Sequence, residues 1–401
     1  MQKIPLLGFA LSVFVLGTVP LKGPRAVAGP DLPAPRSSLP GNDSTVAARG
    51  AINGIRWDAK GAVWIANGGY GRMIRLGKRG DNAILCCYES SGKSWVKRSA
   101  DEGKTWSEAV LCRELVGASA ANPELLALKS GRVWLFVNAR PRRDSGRKFT
   151  IDASHSDDGG KTWTKRAKPI FEAGNEARVG CWEPAGIQLP SGEIQLFFAN
   201  ELPFPGNDDQ EISLMRSFDD GATWTSPQRV SYRAGHRDGM PVPLLLHDGK
   251  TVVFSIEDSG LAAGRALQPA IISTSLARIW KDSVSGNSPR RWNALVPPLA
   301  SGVYAGAPYL AKLPSGETIL SLQSKAGGRK EPQMVVYTGD REARNFTRPS
   351  VPIELPSQTG GNWNSVFVKD ENIVTALTAT VINGRFGLWA IDGHINRREI
   401  E

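Results

Sequence analysis

Two glutamates combine a residue type and a setting suited to acid and base chemistry. Glu183 stands between Trp182 and Pro184, and Glu257 ends an apolar stretch. Apolar neighbours raise the pKa of a carboxyl group, so a glutamate in such a setting can act as a general acid. Hydrolysis of a glycoside requires two carboxyl groups across one bond, one to protonate the leaving oxygen and one to attack the sugar or activate water. We therefore predict Glu183 as acid/base and Glu257 as nucleophile.

Further polar and aromatic residues stand where predicted strands begin or end. The arginines among them offer donors for sugar hydroxyls or charge partners for the acids. The tryptophans stack on sugar rings or pack between sheets. For each carboxylate the alternative role is a structural ion pair. The residues predicted to contact a ligand are Arg72, Arg140, Trp182, Glu201, Arg237, Asp238 and Trp363.

A strand–turn–strand unit recurs six times along the chain and brings these residues together. The turns are centred near residues 80, 131, 192, 249, 316 and 371 and contain glycine, asparagine or aspartate. Intervals of 51 to 67 residues leave room for two more strands in each unit. Six units of four antiparallel strands predict an all-β fold, a six-bladed β-propeller formed by residues 51–401. If the turns share one face, the strand entries and exits share the other and line one funnel.

A second motif recurs between the hairpins. The pattern Ser-x-Asp-x-Gly-x-Thr-Trp occurs at residues 99–106, 156–163 and 217–224. Aspartate and glycine favour a tight turn, the hydroxyl side chains bond to the local backbone, and tryptophan packs between sheets. The repeat accounts for part of the unusual content of 12 Trp against 6 Tyr. We predict a structural role for these loops.

Residues 55–395 resemble the sialidase-like propellers, whose Asp boxes, or bacterial neuraminidase repeats, share the second motif. Four further segments are similar to glycoside hydrolase family 93, the exo-arabinanases. This resemblance implies a retaining enzyme that releases arabinobiose from the end of α-1,5-arabinan, with Glu183 and Glu257 at the acid/base and nucleophile positions. It also places the Asp boxes on the face away from the active site. The similar segments are 182–184, 208–216, 237–241 and 306–308, and the sequence departs from the family at 138–141 and 199–201.

The sequence thus predicts a secreted exo-glycosidase that favours arabinan. Two alternatives to this prediction stay open. A sialidase surrounds the substrate carboxylate with three arginines and pairs a tyrosine nucleophile with a glutamate. Arg72 and Arg237 supply two of these arginines, but the fifth unit offers no clear third arginine and no tyrosine opens the sixth. The second alternative is a propeller that binds a glycan without cleaving it, because binding propellers also have Asp boxes.

The composition excludes several other classes of protein. With 401 residues, 41% hydrophobic and 22% charged, the chain has enough apolar residues for a large core. The formal charge of +10 is scattered, so we predict no nucleic-acid partner. Four scattered histidines and no Cys-x-x-Cys pair predict no metal site, and we predict no other cofactor. The predicted ligand is a polysaccharide or oligosaccharide, bound by a monomer.

The four cysteines have two interpretations. In an exported protein, a disulfide joins Cys86 or Cys87 to Cys112. In the alternative, these three residues and Cys181 are small buried apolar residues.

The N-terminus has the pattern of a secretory signal peptide. Lys3 precedes an apolar run at residues 4–19, and Ala26-Val27-Ala28 forms a cleavage site. We predict cleavage after about Ala28, export to the periplasm or the extracellular space, and a flexible lead-in at residues 29–50. The apolar run is shorter than the roughly 20 residues of a membrane span, and no comparable run follows, so we predict no membrane association. Cleavage removes three basic residues and no acidic residue, which lowers the formal charge from +10 to +7.

Overall fold

The computed structural model describes residues 50–77, 81–176 and 178–398. The predicted signal peptide, residues 29–49 of the predicted lead-in and the predicted turn at Gly80 lie outside the described residues. Within these three ranges the regular structure is β-strand, apart from three short 3₁₀ turns at Ala59–Gly61, Ala263–Arg265 and Ala326–Gly328. None of the described helical segments is long and apolar enough to cross a membrane.

The described strands form six sheets that follow one another along the chain. Two N-terminal strands come first, β1 (Ile52–Trp57) and β2 (Val63–Ala66). Blade 1 contains β3 (Gly69–Arg75), β4 (Ile84–Ser90), β5 (Lys93–Ser99) and β6 (Val110–Arg113). Blade 2 contains β7 (Ala118–Ala127), β8 (Val133–Pro141), β9 (Thr150–Ser156), β10 (Thr164–Lys165) and β11 (Phe171–Glu172). Blade 3 contains β12 (Cys181–Gln188), β13 (Ile194–Asn200), β14 (Glu211–Ser217) and β15 (Gln228–Tyr232).

The second half of the chain repeats this arrangement. Blade 4 contains β16 (Asp238–Leu245), β17 (Thr251–Asp258) and β18 (Gln268–Ser275); β19 (Val284–Ser285) then crosses to the outer edge of blade 3, and β20 (Arg291–Asn293) completes blade 4. Blade 5 contains β21 (Ala305–Lys312), β22 (Thr318–Ser324), β23 (Gln333–Gly339) and β24 (Thr347–Ser350). Blade 6 contains β25 (Asn362–Val368), β26 (Ile373–Ile382) and β27 (Arg385–Arg397). The prediction of an all-β, six-bladed propeller is confirmed.

The last blade is completed by the beginning of the chain. Strand β27 pairs with β26 on one edge and with β1 on the other, where Trp57 lies opposite Gly393 and Ile55 opposite Ile395. Strand β2 also pairs with β27. Because N-terminal and C-terminal strands pair in one sheet, backbone hydrogen bonds within blade 6 close the ring.

The first strand of every blade contains a β-bulge at the same place. In each bulge one non-glycine residue takes a positive φ, between 46° and 55°. A bulge bends the strand and re-aims the side chains beside it. Such a backbone is costly for these residue types and persists because the surrounding sheet imposes it. The six bulge residues are Tyr70, Asn122, Glu183, Met240, Ala307 and Trp363.

These bulges converge on the propeller axis. Tyr70, Met240 and Ala307 come from blades 1, 4 and 5 and pack together as a small buried cluster. The antiparallel order of the strands places all six bulges at one end of the axis, and the tight turns that follow each first strand at the other. The predicted funnel of strand entries and exits therefore exists, and Glu183 is part of its inner ring.

The three loops that carry the repeated Ser-x-Asp-x-Gly-x-Thr-Trp pattern share one set of hydrogen bonds. In the loop of blade 2, Asp158 accepts bonds from the Ser156 hydroxyl at 2.8 Å and the Thr162 hydroxyl at 2.6 Å. The backbone N–H of Gly160 donates to the Ser156 hydroxyl at 2.8 Å. Matching bonds surround Asp101 and Asp219. Each loop joins the third strand of a blade to the next, at the end of the propeller opposite the bulges.

The four cysteines are buried and none is paired with another. The predicted disulfide between Cys86 or Cys87 and Cys112 is therefore wrong, and the alternative of small buried side chains applies. The thiol of Cys87 donates to the carbonyl of Pro123 in the neighbouring blade at 3.4 Å. Burial raises the pKa of the Cys86 thiol to about 12, which keeps this group protonated.

Candidate active site

Glu183 and Glu257 lie on the first strand of blade 3 and the second strand of blade 4, at the bulged end of the axis. Both side chains are partly exposed. Burial raises the pKa of Glu183 to about 7, and the negative charge of Glu257 contributes to this rise. The two carboxyl groups are therefore close enough to interact, as the sequence predicted from adjacent blades. Near neutral pH, a substantial fraction of Glu183 is therefore protonated and can donate a proton.

Glu257 has a different electrostatic setting. Its Oε2 accepts the backbone N–H of Ala307 at 2.9 Å. Burial raises the pKa of Glu257, whereas this hydrogen bond and the charge of Arg237 oppose the rise and favour the carboxylate. Two glycines make room for it, because an added Cβ would lie 3.0 Å from Oε1 at Gly239 and 2.8 Å from Oε2 at Gly306. The pair thus combines a group that tends to be protonated with one that tends to be charged.

Two of the predicted arginines flank these carboxyl groups. The Nη2 atom of Arg140 lies 3.7 Å from Oε1 of Glu183, and the same guanidinium donates a hydrogen bond to the side-chain oxygen of Asn122. The charge of Arg237 lowers the pKa of both Glu183 and Glu257, which places it near both. The Arg237 side chain is about one-third exposed. Arg140 and Arg237 are thus positioned to donate hydrogen bonds to a ligand at the pair.

Glu201 and Asp238 were predicted to contact a ligand, but both are buried and bound to arginines, so the structure gives them little free surface for one. Glu201 is 3% exposed and accepts bonds from Arg237 at 2.5 Å and from the backbone N–H of Gly180 at 3.1 Å. It therefore orients Arg237 from behind. Asp238 is fully buried and bonds to Arg291 at 2.5 Å inside blade 4. Both carboxylates hold basic side chains in place, and the negative charge of Glu201 also contributes to the raised pKa of Glu183.

Arg72 also departs from the prediction. It is 1% exposed and forms an ion pair with Glu124, Nε to Oε2, at 3.3 Å. Its guanidinium lies 3.9 Å from the centroid of the Tyr70 ring and donates to the carbonyl of Trp363 at 3.2 Å. Arg72 follows the bulge residue Tyr70 by two positions, which places it one layer below the floor of the funnel. It ties blades 1, 2 and 6 together and has no free surface for a ligand.

The two predicted tryptophans differ in what they offer a ligand. Trp363 is 40% exposed and lines a cavity of about 450 Å³. Its ring centroid lies 6.1 Å from that of Tyr70 in the floor. Trp182 is largely covered, with Phe149 at 4.8 Å and the Arg140 guanidinium at 5.3 Å from its ring. Trp363 therefore has a face available for stacking, whereas Trp182 packs between blades.

Two residues of the site were not predicted. Tyr304 precedes the first strand of blade 5, and its hydroxyl accepts a bond from Gln323 Nε2 at 2.6 Å. Burial and the charge of Glu257 raise the pKa of Tyr304 to about 12. Glu89 is the next-to-last residue of the second strand of blade 1 and lines the cavity that Trp363 also lines. Its place near the end of a second strand, opposite the residue before the bulge and equivalent to that of Glu257 in blade 4, is a signal by which it could have been found.

The fold and the funnel define a class of architecture, the six-bladed β-propeller with a polar funnel at one end of its axis. No protein-family model matches the sequence, and no curated protein sequence matches it. Solved structures do match the fold. An α-L-arabinofuranosidase from Fusarium graminearum is 17% identical, with a TM-score of 0.63 over 87% of this chain and 98% of its own.

Two further structures represent the arabinanases and sialidases. An α-L-arabinanase from Penicillium chrysogenum is 16% identical, with a TM-score of 0.56 over 87% of this chain and 98% of its own. A sialidase from Trypanosoma rangeli is 12% identical, with a TM-score of 0.52 over 82% of this chain and 54% of its own. The resemblance to sialidase-like propellers is thereby confirmed as a likeness of fold.

Proposed function

We propose that this protein is a retaining glycoside hydrolase that releases sugar units from the ends of glycan chains, with an arabinan-type substrate. The observation that carries the proposal is the unequal pair of carboxyl groups. Glu183 has its pKa raised to about 7, and Glu257 is held toward its charged form by the N–H of Ala307 and by Arg237. Paired carboxyl groups whose environments separate their pKa values are the arrangement that glycoside hydrolysis requires.

In the proposed reaction the two groups act in sequence. Glu257 attacks the anomeric carbon while Glu183 protonates the leaving oxygen, and a glycosyl-enzyme ester forms. Glu183, now deprotonated, accepts a proton from the water that cleaves this ester, so the anomeric configuration is retained. Arg140 and Arg237 donate hydrogen bonds to sugar hydroxyls beside the two carboxyl groups. Trp363 offers an exposed ring face to a neighbouring sugar.

The arabinan-type substrate is supported by the sequence segments that resemble family 93. It is also supported by the likeness of fold to an arabinofuranosidase and an arabinanase that were each solved with arabinobiose. We further propose that residues 1–28 are a signal peptide, that the mature protein is exported, and that it acts as a monomer. N-terminal sequencing of the secreted protein and sedimentation analysis test these points.

One observation favours a sialidase as the second candidate. Sialidases pair a tyrosine nucleophile with a glutamate, and Tyr304 lies beside Glu257: an added Cβ at Gly306 would lie 2.6 Å from Tyr304 Oη and 2.8 Å from Glu257 Oε2. Against this candidate, Arg72 is bound to Glu124 below the funnel floor. Only Arg140 and Arg237 of the predicted arginines are then available for a substrate carboxylate.

The test is hydrolysis by the purified mature protein and three variants. Linear arabinan, α-1,5-arabino-oligosaccharides and sialosides serve as substrates, and chromatography identifies the products. We expect arabinan to yield short products from the earliest time points, as an exo-acting enzyme gives. Glu183→Gln and Glu257→Gln should each lower kcat by roughly 10²- to 10⁴-fold or more. The exposed Glu108→Gln, on the opposite face, should leave the rate unchanged.

Other outcomes separate the candidates. Cleavage of sialosides and not of arabinan supports the second candidate, above all if Tyr304→Phe is inactive. Binding of glycans without hydrolysis of any substrate supports a binding propeller. Full activity of either Glu→Gln variant refutes the role proposed for that residue.

A further inference from the structure

A cavity of about 450 Å³ opens beside the carboxyl pair. Its walls come from blades 6, 1 and 2, and they include Asn122 and Arg140. Arg140 connects it to the reaction centre, because its guanidinium lies 3.7 Å from Glu183. A ligand cleaved at Glu183 and Glu257 can therefore extend into this cavity. What the walls recognise decides which sugars are accepted there.

Glu89 places an unpaired carboxylate in the wall. Within the described ranges, the Glu89 side chain accepts one hydrogen bond, a long one of 3.4 Å from the backbone N–H of Asn122 to Oε2. Among the residues that the structure describes, no ion pair within 4.0 Å engages Glu89. A carboxylate has about four acceptor sites, so most of the acceptor capacity of Glu89 is free. A sugar hydroxyl is a donor that can use it, whereas a ligand carboxylate would be repelled.

Among the described residues that line the cavity, the cation is Arg140, and it does not offset this repulsion. Burial raises the pKa of both Glu89 and Glu183, and the charge of Arg140 opposes the rise in each, so Arg140 interacts with two acidic groups. It also donates to the side chain of Asn122. An anionic ligand would have to compete with both glutamates for this guanidinium. The cavity is therefore suited to a ligand without charge.

The remaining walls suit a sugar ring. Trp363 is 40% exposed and Phe386 53% exposed, and both line the cavity. Phe386 lies on the β26–β27 hairpin, where it pairs across the strands with Val381. Exposed aromatic faces bind the apolar C–H faces of sugars, while the side-chain amides of Asn67 and Asn362 in the same lining can bond to hydroxyls.

We propose that this cavity is a subsite for an uncharged sugar unit of the glycan chain, and that the Glu89 carboxylate binds its hydroxyls and excludes sugars that carry a carboxylate. The inference rests on the proposed function for the identity of the ligand as a glycan. It goes further by naming the group that selects neutral over acidic glycans.

Binding, not hydrolysis, tests this proposal. The measurements use full-length mature protein with Glu257→Gln, which blocks cleavage and leaves the residues of the cavity unchanged. The ligands are α-1,5-arabinotriose and two oxidised forms of it, one with a carboxylate at the non-reducing end and one with a carboxylate at the reducing end. Calorimetry gives Kd with Glu89 present, with Glu89→Gln added, and with the exposed control Glu108→Gln added.

With Glu89 present, we expect arabinotriose to bind at least tenfold more tightly than the oxidised form whose carboxylate enters the cavity, at whichever end of the ligand that is. Glu89→Gln should weaken arabinotriose binding about tenfold, which is the loss of one charge-assisted hydrogen bond, and should strengthen binding of that oxidised form. Glu108→Gln should change neither Kd.

Three results would overturn the proposal: equal binding of all three ligands with Glu89 present, less than a twofold effect of Glu89→Gln, or no binding of arabinotriose. If the Glu257→Gln protein binds selectively but the protein with Glu257 intact hydrolyses no glycan, the proposed function is overturned and the proposed subsite is still supported.

Discussion

Removal of Arg140 should shift the pH dependence of catalysis in a direction set by the structure. The Arg140 guanidinium lies 3.7 Å from Glu183 and lowers the pKa of that carboxyl, which burial raises to about 7. A positive charge stabilises the ionised form of the acid, so its loss raises the pKa further. Glu183 then stays protonated to higher pH, and the alkaline limb of kcat/KM should move upward.

The size of this shift follows from the distance and the exposure. Two charges 4 Å apart interact by about 1 kcal/mol in water and about 4 kcal/mol at an effective dielectric constant of 20. The Arg140 side chain is 37% exposed, so solvent screens the pair and the lower figure applies. One pKa unit corresponds to about 1.36 kcal/mol, and we therefore expect a shift of roughly 0.5 to 1 pH unit.

The assay is a pH profile of kcat/KM for wild type, Arg140→Gln and Arg142→Gln. Arg142 is exposed, and its replacement changes the net charge by the same amount. The alkaline limb of the Arg142→Gln profile should therefore lie at the same pH as the wild-type limb. An alkaline limb that stays unchanged or moves downward in Arg140→Gln would refute the assignment of Glu183 as the titrating acid.

Three further predictions concern the scaffold and the carboxylate pair. Arg291→Leu should lower the free energy of unfolding by about 3–5 kcal/mol in urea titrations, because it leaves the buried Asp238 without its arginine and removes one of the two arginines that pair with the buried Asp258. The exposed Arg278→Leu should cost under about 1 kcal/mol, and equal effects of the two substitutions would contradict the account. Hydrogen bonds lower the pKa values of Asp101, Asp158 and Asp219 to about 2, below the ordinary 3.8, so their stabilisation is present above about pH 4 and is lost as the pH falls towards 2. The triple Asp→Asn variant should therefore have a lower Tm than wild type at pH 6, and its Tm should fall less between pH 4 and pH 2. If the Tm of the variant falls as steeply with pH as that of the wild type, the three aspartates do not stabilise the fold in the way proposed. Gly306→Ala should reduce kcat at least tenfold while the protein stays folded, because its Cβ meets Tyr304 Oη and Glu257 Oε2, whereas Gly77→Ala, which meets nothing within 4 Å, should be neutral.

The architecture could be predicted because its signals are local and repeated. Tight turns with glycine, such as those at Gly131, Gly192 and Gly316, depend on residues adjacent in sequence, and all three glycines have positive φ. Strand β1 gave no such signal. It is six residues long and pairs with β27 at the other end of the chain, so its place in blade 6 depends on closure of the whole ring.

The site was predicted less completely because the bulges change which way side chains point. Side chains alternate between the two faces of a sheet, so the sequence indicates which residues point inward only where the strand has no bulge. Arg72 and Glu183 both stand near the bulge of a first strand, yet Arg72 is buried below the floor and Glu183 faces the funnel. Asp238 begins its strand before the bulge and points into blade 4. Their positions at strand entries were correct, but their directions could not be derived from spacing.

The central claim is that Glu183 is the acid/base and Glu257 the nucleophile of a retaining reaction. Azide rescue of Glu183→Ala and Glu257→Ala, with an aryl glycoside of the sugar that the wild type cleaves, tests both roles at once. In Glu183→Ala the glycosyl-enzyme still forms and azide attacks it, so we expect a glycosyl azide of retained configuration. In Glu257→Ala azide takes the vacated position of the carboxylate, so we expect the inverted azide. The opposite assignment of the two products, or rescue of neither variant, would contradict the account.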